Sequence, residues 1–86
     1  MKASPEFVAH IAAALRSLAD LSGLEAVKAA HPWVLFAAVS QAATTNPPRV
    51  NGTTFTHPAP DGWEDERRRL RDAHIETAVR AALRAI

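Results

Sequence analysis

The stretch from Pro32 to Thr45, PWVLFAAVSQAATT, limits the fold of this chain more than any other. It is long enough for a helix and holds no charged residue. On a helical projection Leu35, Phe36, Val39, Ala42 and Ala43 form one apolar side. Trp33, Val34 and Ala37 lie on the other, relieved only by Ser40, Gln41 and Thr44. A helix that is apolar nearly all round is normally buried. With 86 residues in total, little chain remains to surround it. Either the rest of the fold wraps this helix or a partner covers its outer side.

The length implies one domain over residues 1–86. The sequence has no cysteine, so neither disulfides nor thiolate-bound zinc can staple the fold. The core must supply the stability. Nineteen residues are alanine, the best helix former but a small contributor of buried area. Phe7, Ile11, Leu15, Leu18, Trp33, Leu35, Phe36, Trp63 and Leu70 therefore carry the expected core. Ten basic and nine acidic residues leave a net charge of +1. That balance argues against a chain built mainly to bind nucleic acid or a membrane surface. Eight of the ten basic residues are Arg, which reads as GC-rich coding, in a bacterium or phage. MKASPEF opens without an apolar leader core, and the uncharged run from Ala29 to Pro48 is broken by His31, Pro32 and a polar tail. The expected location is cytoplasmic, with no membrane contact.

The helix signals are clear at the start of the chain. Ser4 is a capping residue, Pro5 suits the first helical position and Glu6 favours the positive end of the dipole. Phe7, Ile11, Ala14, Leu15, Leu18 and Leu21 recur at helical spacing, and Gly23 is a stop. Ser22 and Glu25 have capping-box spacing ahead of a short helix from Leu24 to Ala30, with Leu24 and Val27 inward. His31 is a cap for the apolar helix that begins at Pro32. Asn46-Pro47-Pro48 ends that helix. Residues 46–61 then carry four of the six prolines and form a loop or hairpin crossing. Asn51-Gly52 is a two-residue hairpin signal, with Val50 or Phe55 as its anchor. Asp61 is the expected cap of a final helix from Gly62 or Trp63 to the end. Glu64, Asp65 and Glu66 sit in its first turn, and Glu64–Arg68, Asp65–Arg69 and Glu76–Arg80 are favourable four-residue pairs. The fold class is thus all-α: a small bundle of three to four helices with a long Pro-rich loop able to carry a short β-hairpin. The stripe of the last helix drifts from Trp63, Leu70, Ala78 and Ala81 to Ile75, Val79, Ala82 and Ile86. That drift suggests docking at one end and a second surface at the other.

Catalytic signatures are missing. No glycine-rich phosphate loop, nucleophile elbow or zincin motif occurs. The histidines at 10, 31, 57 and 74 lack the spacing that pairs ligands on a helix face. No catalytic residue, metal or cofactor is expected. His10 reads as a surface partner of Glu6, one turn away. Arg67, Arg68 and Arg71 are a candidate contact for an anionic partner, although successive helical residues diverge and nearby acids neutralise them.

These features point to a small non-catalytic protein that binds another protein, as inhibitor or adaptor, encoded by a phage or other mobile element. Its expected interface comprises Trp33, Val34, Ala37, Gln41, Arg49, Phe55, His57 and Trp63, since aromatics and Arg anchor interfaces. A homodimer through Trp33, Val34, Ala37 and Gln41 is a corollary. One alternative is a DNA-binding regulator. Three helices followed by an Asn-Gly ribbon resemble a winged helix-turn-helix in their order, but the third helix offers only Ser40, Gln41 and Thr44 to bases. A small subunit of a larger complex is the other alternative.

Overall fold

The computed structural model describes residues 2–86. It is predominantly helical, with a two-stranded antiparallel sheet. The elements are α1 (Pro5–Ser22), α2 (Leu24–Ala29), α3 (Pro32–Ala42), β1 (Arg49–Val50), β2 (Thr53–Thr54), α4 (Trp63–Arg69) and α5 (Asp72–Ala85).

Helix α1 is the centre of the fold, packing against α2, α3, β1 and α5. Its start follows from sequence: the Ser4 Oγ accepts the Phe7 amide at 3.2 Å, and Pro5 lacks the amide that the first turn would leave unpaired. Phe7, Ile11, Ala14, Leu15 and Leu18 are buried along one side. The Gly23 amide closes α1 on the Ala19 carbonyl at 2.8 Å. Ser22 does not form the capping box with Glu25. Its hydroxyl donates back to the Leu18 carbonyl at 3.0 Å, and α2 begins after Gly23 with no side-chain cap. In α2 Val27 is buried but Leu24 is 45% exposed. One short turn leading straight off α1 has room to bury a single large side chain.

The C-terminal third departs most from the expected architecture. The expected single helix is two, broken at Leu70-Arg71, where both residues are extended (ψ 138° and 157°). Periodicity explains the break. Leu70 and Val79 are nine residues apart, so at about 100° per residue a continuous helix would point them in opposite directions. Both are buried in the same core, at 6% and 0% exposure. Breaking the helix re-aims α5, so that Ile75, Ala78, Val79 and Ala82 join Trp63 and Leu70 inside. The drifting stripe marks this break and not a second docking surface.

Asp61 does not cap α4. Gly62 occupies that position at φ 86°, in the left-handed region, with no side-chain cap. The segment between α3 and α4 folds back on the bundle. Asn51 (φ 50°) and Gly52 (φ 81°) make the turn of the hairpin, which pairs Arg49 with Thr54 and Val50 with Thr53. Positive φ at both central residues suits the twist of a two-residue hairpin. The Asn51 side-chain amide donates to the Leu21 carbonyl at 2.6 Å, tying the turn to the end of α1.

Candidate interaction surface

The N-terminus of α3 sets the phase of the helix. The His31 Nδ1 accepts the Trp33 amide at 3.2 Å, and the His31 carbonyl accepts the Val34 and Leu35 amides. Pro32 is buried as the first residue. From that phase Leu35, Phe36, Val39 and Ala42 enter the core. Val34, Ala37 and Gln41 are exposed and Trp33 is half-buried. Trp33 leans edge-on against Phe36, with ring centroids 5.9 Å apart and planes at 83°. Val34, 63% exposed, is the most exposed large apolar side chain among the described residues. The outer side of α3 is therefore apolar, uncharged and uncovered.

The far end of α3 is held from both sides. The Gln41 Nε2 donates to the Asn46 carbonyl at 3.3 Å, and the Thr44 hydroxyl donates to the Gln41 carbonyl at 2.8 Å. The His57 amide donates to the Ala42 carbonyl at 3.0 Å, and the Phe55 amide to the Pro48 carbonyl at 2.8 Å. The crossing is thus a strap bonded to the helix end.

The other residues expected at an interface separate into different environments. Phe55 is 2% exposed and Trp63 is 4% exposed, so both belong to the core and offer no surface. Trp63 stacks on Phe7, with centroids 4.2 Å apart and planes at 10°, and lies 6.1 Å from Phe36. An aromatic that follows a loop looks the same in sequence whether it faces a partner or its own core. Arg49 is exposed, but its guanidinium is turned onto the Gly52 carbonyl at 2.6 Å within the hairpin. His57 is half-buried, 5.0 Å from the His10 ring.

The candidate arginines differ in their settings. Arg67 is half-buried and bridges Glu64 at 2.8 Å. That bond, with the nearby positive charge of Arg67 and Arg68, holds the Glu64 carboxyl below its ordinary value. Glu64 thus pairs with Arg67, not with the expected Arg68. Glu76–Arg80 forms as expected, at 3.3 Å. Arg68 is exposed in α4 and Arg71 is exposed at the α4–α5 break itself.

Two relationships escaped the sequence reading. Glu66 reaches across the fold to Ser4, 62 positions earlier. His10 is not a surface partner of Glu6. It is half-buried against Trp63, at 4.5 Å, and His57. Its place one turn after Phe7, on the flank of the apolar stripe, was the available signal. Compared with protein families, with characterised proteins and with solved structures, the chain matches none of them.

Proposed function

We propose that this chain acts by binding protein, without catalysis, and that the outer side of α3 is its contact surface. The observation that carries this reading is the uncharged face of Trp33, Val34, Ala37 and Gln41, uncovered beside the core. Apolar residues grouped on one exposed helix face are what an interaction site would use, and depletion of charge is typical of the centre of an interface. The first occupant we assign is a second copy of the chain. A two-fold contact sets the same patch against itself, and a patch with no charge presents its image with none to desolvate or repel. An inhibitor or adaptor role in the cytoplasm of a bacterium or a phage-infected cell fits this size and chemistry.

A winged helix-turn-helix reading has the element order in its favour, since a hairpin follows α3. Against it, α3 carries no Arg or Lys for phosphate and Arg49 is turned onto the hairpin's own backbone. The deciding experiment is solution mass by light scattering over a range of protein concentrations at two salt levels. The expected result is a dimer that persists at high salt. A monomer at every concentration overturns self-association, and a monomer that forms a stoichiometric complex with another chain identifies the subunit of a larger assembly.

A further inference from the structure

His10, His57 and Trp63 come from three different parts of the chain and meet at one place. His10 projects from α1, His57 from the strap and Trp63 from the start of α4. The His10 ring lies 5.0 Å from His57, with planes at 50°, and 4.5 Å from Trp63, with planes at 61°. Its Nε2 is shut off from solvent and has no hydrogen-bond partner among the described residues. Between β2 and α4 the strap has no secondary structure of its own. It is held there by the burial of Phe55, by the backbone bond from His57 to Ala42 at the end of α3, and by this ring contact.

We propose that the contact of His10 with His57 is an acid-sensitive latch, which holds the strap on α1 while His10 is neutral and releases it when His10 takes up a proton. The chemistry is one-sided. A proton on His10 Nε2 would create a buried N–H with no acceptor, and a second cation would stand 5.0 Å away on His57. Among the described residues no carboxylate is ion-paired with either ring. On α1 Glu6 is exposed and makes no ion pair with His10. From α4, Trp63 carries no charge, and both Glu66 oxygens accept bonds from Ser4. The strap contributes His57 itself. A cation over the Trp63 ring would gain some attraction, but burial and then the His57 charge together hold His10 below its ordinary value. The fold favours the neutral ring, so the latch is fully closed above the unfolded-state value near 6.5. It weakens as pH falls through that value toward the lower one of the folded state.

Amide hydrogen exchange at Phe55 and His57 tests this directly, read at pH 7.5 and pH 5.0 as protection relative to the unstructured chain. The strap amides are expected to lose protection at pH 5.0, up to about tenfold for each unit by which the fold depresses His10. Amides in the middle of α1 should lose far less. His10→Leu should remove most of the pH dependence. Should that variant fail to fold, His57→Gln, at the half-exposed partner, leaves one imidazole and should flatten the response in part. Strap protection that does not change with pH in the natural chain overturns the latch. So does a response of unchanged size in a folded His10→Leu or His57→Gln variant, because another group would then drive it.

Discussion

Ser4 and Glu66 hold each other across 62 positions of the sequence. The Ser4 amide donates to Glu66 Oε2 at 2.7 Å and its hydroxyl to Oε1 at 2.8 Å, while the same hydroxyl oxygen accepts the Phe7 amide. One carboxylate thereby completes the N-terminal cap of α1 and fixes α4 against it. A capping box normally recruits its acid from three residues along the same helix. Here the acid comes from another helix, so the cap is also a tertiary contact.

This arrangement predicts coupling. Ser4→Ala should cost about 1–2 kcal/mol, as a lost cap does. Glu66→Ala should cost a similar amount by stranding the Ser4 donors. The double variant should be less destabilised than the sum of the two, by roughly 0.5–3 kcal/mol. Urea unfolding of the four chains measures this. Additive losses would mean that the two residues act independently.

Phe55 anchors the strap, at 2% exposure. Phe55→Ala should cost about 3–5 kcal/mol, a large part of the stability of a domain this small. Phe55→Leu, which keeps most of the volume, should retain the fold with a modestly lower urea midpoint. If Phe55→Ala unfolds at the same midpoint as the natural chain, the strap contributes nothing to the core.

Gly62 sits at φ 86°, and a Cβ there would meet nothing within 4 Å. Any penalty for Gly62→Ala is therefore backbone strain alone, about 1 kcal/mol. Gly62→Asn should cost less, since Asn tolerates the left-handed region. A midpoint shift near 4–8 °C in thermal unfolding corresponds to that 1 kcal/mol for a domain of this size. Equal, large losses for both variants would point to a clash instead.

Val34 has no packing role to lose, because most of it is in solvent. Val34→Lys should leave stability within about 0.5 kcal/mol. It should also convert the dimer assigned above to a monomer, since it buries a charge at a face that has none. Trp33→Arg should do the same at a greater cost in stability, because Trp33 also rests on Phe36. A dimer that survives Val34→Lys places the contact elsewhere.

Local chemistry determined much of this protein from its sequence. The Ser4-Pro5 start and Gly23 stop of α1, the His31-Pro32 start of α3 and the Asn51-Gly52 turn are short-range effects. Each is settled by the φ and hydrogen-bonding habits of residues within a turn of one another. The inward side of α3 was legible for the same reason, through its helical period. What lay beyond sequence were the outcomes that depend on which distant surfaces meet. Leu70 and Val79 had to share one core, so the last helix broke between them. Phe55 and Trp63 were taken inward, although their sequence context suits an interface equally well. Glu66 was diverted from its own helix to Ser4, and His10 was turned against His57. Periodicity states which side of a helix is apolar but not what will cover it, and only the packed fold supplies that second surface.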